Sequence, residues 1–181
     1  MMRRAGARVG DRVFVSGTIG DASLGLAMRN GKDWKLSETQ RQHLIARYLL
    51  PQPRTALAEA VRQHASAAMD VSDGLAGDFA KLCRSSRVGA TIAVERIPLS
   101  DACKAVFAVD PAMRETALSG GDDYEIVCTV PAGKAQSFCA AAQAANVPVS
   151  EIGEIVAGEG ARFLWGDGEP LTFRRAAFSH F

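Results

Sequence analysis

Residues 124–130 read Tyr-Glu-Ile-Val-Cys-Thr-Val, an alternating, β-branched run that predicts a strand inside a sheet. Just before it, residues 119–123 (Ser-Gly-Gly-Asp-Asp) form a flexible acidic turn. After it, residues 134–145 are Ala-rich and helical, stopping at Asn146-Val147-Pro148. Further out, Arg12–Ser16 (Arg-Val-Phe-Val-Ser) is a second alternating strand that runs into the turn Gly17-Thr18-Ile19-Gly20. Asp21-Ala22-Ser23 can cap a short helix through Leu24, Leu26 and Met28. Ser37-Glu38 opens a helix through Leu44, Ile45 and Tyr48 that Pro51 and Pro53 end, and residues 55–64 form another with Leu57 and Val61 inward. Ala67–Val71 is a short apolar strand, followed by the turn Ser72-Asp73-Gly74 and a helix over 75–84 that buries Leu75, Phe79 and Leu82. Residues 90–94, 152–156, 161–165 and 171–173 read as further short strands. Helices and strands mix without strict βαβ alternation, so the expected class is α+β, a mixed β-sheet flanked by helices.

The composition narrows the function. The 181 residues are 48% hydrophobic and 23% charged, within the range of ordinary globular proteins. Net charge is +1, from 21 basic and 20 acidic side chains, which speaks against a nucleic-acid partner or a polybasic membrane module. No apolar run approaches the roughly 18 residues of a membrane span, so no membrane partner is expected. Cys83, Cys103, Cys128 and Cys139 are widely spaced, with no CxxC pair, and read as buried reduced thiols of a cytoplasmic protein.

Candidate chemistry rests on acids and glycines. GxxxxGK[ST], GxGxxG, HExxH and GxSxG are all missing, and His43, His64 and His180 show no metal-ligand spacing. Three clusters remain. Asp70-Val71-Ser72-Asp73-Gly74-Leu75 places two carboxylates and a hydroxyl at a strand-to-helix turn, a hard-oxygen set suited to Mg²⁺ with phosphate oxygens. On the residues alone, helix capping by Ser72 or Asp73 remains open. Ser119-Gly120-Gly121-Asp122-Asp123-Tyr124-Glu125 lets backbone N–H groups approach a ligand, and reads equally as a loop entering a strand. Gly17-Thr18-Ile19-Gly20-Asp21-Ala22 is a glycine-rich turn that opens a helix, as at anion sites.

Taken in order, five stretches carry a resemblance. They are Arg-Ala-Gly-Ala-Arg-Val-Gly-Asp at 4–11, Val-Ser-Gly-Thr-Ile-Gly-Asp-Ala at 15–22, Pro-Gln-Pro-Arg at 51–54, Met-Asp-Val-Ser-Asp-Gly-Leu at 69–75 and the 119–125 cluster. Together with Phe-Ser-His-Phe at 178–181 they resemble the thiamine-monophosphate kinases, of the aminoimidazole ribonucleotide synthase-like superfamily. That resemblance implies ATP-dependent phosphorylation of thiamine monophosphate to thiamine diphosphate, with several Mg²⁺ ions, in a two-domain enzyme that dimerises through its N-terminal domain. It implies Asp70 and Asp73 as metal ligands, Ser72 as a nucleotide contact and Arg4 at the ATP phosphates. Asp122 corresponds to an acidic substrate-binding position that is usually Glu, and Phe178 to an aromatic that packs on the thiamine; packing of Phe178 in the core stays open. The family's N-terminal GDDAA-type motif has no counterpart here. Residues 1–30 are therefore expected to be a connecting segment from a missing ATP-binding domain, and 31–181 the C-terminal domain, which alone should fold but turn over poorly or not at all. The alternatives are another ATP-dependent member of the superfamily, such as selenophosphate synthetase, or a non-catalytic binding module.

Overall fold

A computed structural model of the chain describes residues 3–173. Its centre is the pair β1 (Arg12–Ser16) and β4 (Glu125–Val130), antiparallel with Val13 opposite Thr129 and Val15 opposite Val127. β2 (Ala67–Val71) joins the far side of β4, and β5 (Val149–Val156) the far side of β1, both antiparallel. β3 (Gly89–Ala93) pairs antiparallel with β5 and parallel with β6 (Gly160–Leu164). The order β2-β4-β1-β5-β3-β6 makes a mixed six-stranded sheet, as the sequence patterning implies.

Alternation in β1 sends Val13 and Val15 to one face and Phe14 to the other. The first face packs under α4 (Leu75–Ser86), whose Leu75, Phe79 and Leu82 are fully buried. The second lies against α3 (Ala58–His64) and α7 (Ala135–Ala144), where Phe14 meets Phe138 edge-on at 5.2 Å. A third apolar cluster holds the helical layer together. It joins Leu24 of α1 (Asp21–Arg29) and Leu44 of α2 (Glu38–Leu49) to α5 (Asp101–Val109) and α6 (Met113–Ser119). Ser37 and Gln40 close a capping box on α2.

The structure departs from the sequence expectations in four places. Two helices, α5 and α6, occupy residues 101–119, where no element was anticipated. Tyr124 stands outside β4 because its φ is 51°, left-handed and incompatible with a strand. Residues 171–173 form no strand; the nearest pairing is a single bridge from Leu164 to Pro170. Cys139 is exposed, whereas the other three cysteines are buried thiols. β1, inside the stretch 1–30, is the third strand of the sheet, so this stretch is woven into the body of the fold. Ahead of β1, the Ala68 N–H donates to the Arg3 carbonyl at 3.1 Å, and the Gly6 and Ala7 N–H groups donate to Ser86 Oγ, both at 3.2 Å. Residues 3–7 thus cover the outer edge of β2.

Candidate functional site

The three glycine–acid clusters, distant in sequence, meet at one end of the sheet. The Asp122 N–H donates to the Ser72 carbonyl and the Tyr124 N–H to the Val71 carbonyl, each at 2.9 Å. A Cβ on Gly121 would stand 2.5 Å from the Ser72 carbonyl oxygen, so this approach requires glycine. The turn after β2 and the loop before β4 are therefore one backbone unit. Asp122 has a φ of 72°, so two non-glycine residues of the loop, Asp122 and Tyr124, hold left-handed conformations that cost energy unless their surroundings impose them.

Those surroundings are polar and buried. The Glu125 carboxylate, fully buried, accepts from Ser16 Oγ at 2.6 Å and Arg47 Nη2 at 2.9 Å. Arg54 completes a bidentate pair, with Nε at 2.7 Å and Nη2 at 2.6 Å. A side chain on Gly17, at φ 58°, would run into this carboxylate. The same Arg47 Nη2 donates to the Asp123 carbonyl at 3.0 Å. The buried Asp123 carboxylate in turn caps α1, accepting from the Gly20 N–H at 2.8 Å and the Ala22 N–H at 3.3 Å. Burial pushes the Asp123 carboxyl up to about 8; these two N–H donors and Arg47 oppose the shift and neighbouring Asp21 adds to it. Asp21 is also buried and accepts from Thr18 Oγ1 at 2.6 Å and Ser100 Oγ at 2.5 Å, with His43 Nε2 at 3.0 Å. Asp21 and Ser23 therefore do not cap α1 with their side chains; the cap comes from Asp123, a hundred residues away. His43 is thus tied to the buried Asp21 by a hydrogen bond.

The sequence-derived site residues distribute around this unit. Ser72 and Asp73 sit in the turn, half-buried, and their N–H groups donate to Asp78 Oδ2 at 2.9 and 2.8 Å. Gly74 is the N-cap of α4 and no side chain caps it, so neither Ser72 nor Asp73 plays that part. Lys81 Nζ bridges Asp73 at 2.6 Å and Asp78 at 2.9 Å, and these two hydrogen bonds, Asp73's first, raise its pKa. Asp70 is exposed on the opposite face of β2, in a cleft of about 440 Å³ with Arg54, Tyr124 and Ile126 on its walls. It has no ion-pair or hydrogen-bond partner among the described residues. Asp122 borders a smaller cavity of about 190 Å³ with Ser23, Thr116 and Gly120. Arg4 lies at the far end of β2, its carbonyl accepting from Ser86 Oγ at 3.3 Å, a helix length from the Ser72 turn. Phe178 lies outside the described residues.

Among the described residues, no three His, Cys, Asp or Glu side chains gather as a metal cage. Asp70 on β2 and Asp73 in the turn after it stand three residues apart without sharing a cavity, and Mg²⁺ takes one or two protein carboxylates, completing its shell with phosphate oxygens and water. Asp70, uncompensated, is the readier donor; Asp73 would have to release or share Lys81.

Comparison with known proteins places this arrangement. Residues 8–166 match the family described as AIR synthase related protein, C-terminal domain, and the chain belongs to that family. Within the wider set of relatives it is similar to a thiamine-monophosphate kinase of Caulobacter vibrioides, 43% identical over 180 residues, covering 98% of this chain and 50% of the relative. The fold superposes on the crystal structure of thiamine-monophosphate kinase from Stenotrophomonas maltophilia K279a with a TM-score of 0.81 and 35% identity, covering 94% of this chain and 54% of that one. It superposes equally, at 0.81 and 34% identity, on AaThiL complexed with AMPPCP and TMP, covering 99% of this chain and 54% of that one. The chain thus spans about half the length of the relatives it matches.

Proposed function

We propose that this chain is the C-terminal part of an ATP-dependent thiamine-monophosphate kinase, a cytoplasmic, Mg²⁺-requiring enzyme that makes thiamine diphosphate. The observation that carries the reading is the backbone pairing of the Ser72 turn with the Asp122 loop, which sets Ser72, Asp73 and Asp122 on one rim. Transfer between two phosphate groups asks for positioning and charge neutralisation and little covalent work, so a rim of acids without a nucleophile is suited to it. Asp70 and Asp73 would hold Mg²⁺, which when bound supplies charge neutralisation between the phosphates. The Ser72 hydroxyl, without a hydrogen-bond partner among the described residues, would contact the nucleotide. Asp122 would receive the cationic end of thiamine monophosphate, Phe178 would stack on its thiazolium, and Arg4 would reach the ATP phosphates from the β2 edge. Residues 1–30 would lead in from an N-terminal ATP-binding domain, and the whole enzyme would be a homodimer through that domain.

The test is thiamine diphosphate formation by the two-domain enzyme carrying Asp70→Asn or Asp73→Asn. Turnover should fall by orders of magnitude while the melting temperature stays level. Near-normal turnover in both variants would remove the two carboxylates from the reaction.

A further inference from the structure

A second cavity, of about 340 Å³, lies on the other side of α6 from Asp122. The periodicity of α6 makes the division. Thr116 faces the Asp122 cavity, whereas Arg114 and Leu118, one turn apart, face this one. Its walls are mostly apolar, with Ile97, Leu99 and Phe107 prominent, and its size suits a ligand of one or two rings.

The polar groups of this cavity are unusual. The Arg114 guanidinium lies over two rings, 5.4 Å from the centre of Phe107 and 5.7 Å from that of Trp165. A cation over an aromatic face is attracted by the ring's negative quadrupole and keeps its N–H donors available to a further partner. Arg114 is half-buried, yet none of those donors meets an acceptor among the described residues. Lys104 adds a second cation at the rim, held only loosely by exposed Asp101 at 3.3 Å. The one acid of the lining, Glu95, spends Oε1 on the Gly166 N–H. A guanidinium with unspent donors, an apolar floor and a surplus of positive charge together describe a complement to a flat, negatively charged molecule.

We infer that this cavity binds a small aromatic anion, its carboxylate or phosphate on the unspent N–H donors of Arg114 and its ring beside Phe107 and Leu118. The site is separate from the kinase reading, and its test needs no turnover. Phenyl phosphate, benzoate, benzyl alcohol and inorganic phosphate are titrated into the 181-residue chain by calorimetry, with Trp165 fluorescence in a Trp34→Phe background as a second readout. At least one aromatic anion should bind with a Kd near or below about 1 mM. Benzyl alcohol and inorganic phosphate should each bind about tenfold more weakly, one lacking the charge-assisted contact and the other the apolar one. Tighter binding of phenyl phosphate identifies a phosphate ester as the ligand class, and tighter binding of benzoate a carboxylate. Arg114→Gln should weaken the anions about tenfold and leave benzyl alcohol unchanged. Lys104→Gln, on the exposed rim, should weaken them about twofold to threefold and serves if Arg114→Gln does not fold. The inference is overturned if neither aromatic anion saturates by about 10 mM, if benzyl alcohol binds as tightly, or if neither substitution changes anion binding.

Discussion

Replacing Glu125 by Gln keeps the shape of the side chain while removing its charge and one of its two acceptor oxygens. In the native protein those oxygens accept from Ser16, from Arg47 and twice from Arg54. The amide would turn an NH2 toward a guanidinium and leave two positive groups facing each other. Arg54, 23% exposed, can recover some hydration. Arg47, with a side chain 5% exposed, cannot, and its Nε and Nη1 are already buried without acceptors. Removing one member of a buried pair costs about 3–5 kcal/mol, because the remaining charge stays desolvated and uncompensated. That is a fifth or more of a whole-domain stability of about 5–15 kcal/mol. At roughly 2–4 °C per kcal/mol for a domain of this size, the melting temperature should drop by about 6–20 °C. Urea and thermal unfolding followed by circular dichroism at pH 7 measure both quantities. A loss under about 1 kcal/mol, the scale of a solvent-exposed ion pair, would refute the argument that this network clamps the loop.

Gly17→Ala should lose about 2 kcal/mol or more in the same assay, since its Cβ meets the Glu125 carboxylate at a backbone angle L-residues avoid; an unchanged midpoint would contradict the contact. Asp78→Ala should cost about 2–4 kcal/mol, orphaning the Ser72 and Asp73 N–H groups and half of the Lys81 contact, and amide exchange should quicken at Ser72 and Asp73 first. For Asp123 the folded pKa, about 8, lies above the unfolded one near 4, so the protonated form is favoured by folding. Its contribution is fully present below about pH 4 and is lost as pH rises through about 8. Unfolding midpoints should therefore decline between pH 5 and pH 9 and decline less in Asp123→Asn; equal slopes would show that another group is responsible. On the proposed kinase reading, Phe178→Ala in the full-length enzyme should raise the thiamine monophosphate requirement about tenfold with ATP binding nearly unchanged, while lost stability at constant affinity would assign Phe178 to the core.

Local signals made much of the fold legible. β1 and β2 follow from short β-rich or apolar runs, α2 from its Ser37 cap, and α4 from the spacing of Leu75, Phe79 and Leu82. The miss at α5 is of a different kind, because the cues were present: Ser100 caps the Cys103 N–H, and Ala102, Cys103, Val106 and Phe107 fall at helical spacing. Tyr124 could not be excluded from its strand by composition, since its N–H is held by the Val71 carbonyl, a partner distant in sequence, at a left-handed backbone angle. In the candidate site, the acids of the turns were legible and their partners were not. Glu125 finds Arg47 across 78 residues of sequence and Arg54 across 71. One clue lay in α2, where Arg47 shares the buried face with Leu44. A charge at a core position requires a counter-ion somewhere, though nothing local says where.

The strip formed by residues 3–7 works as a hem. The outer margin of β2 is stitched at Ala68 to Arg3, and the strip is tacked down at Ser86, so the start of the strand bearing Asp70 is covered against another sheet. A hem also transmits pull. Any force or displacement applied to the chain ahead of Gly10 arrives first at the register of β2, two residues from Asp70, before it reaches the body of the sheet. Loosening this strip, by proteolysis before Gly10 or by Ser86→Ala, would unpick the border of the strand and the footing of that carboxylate in one stroke.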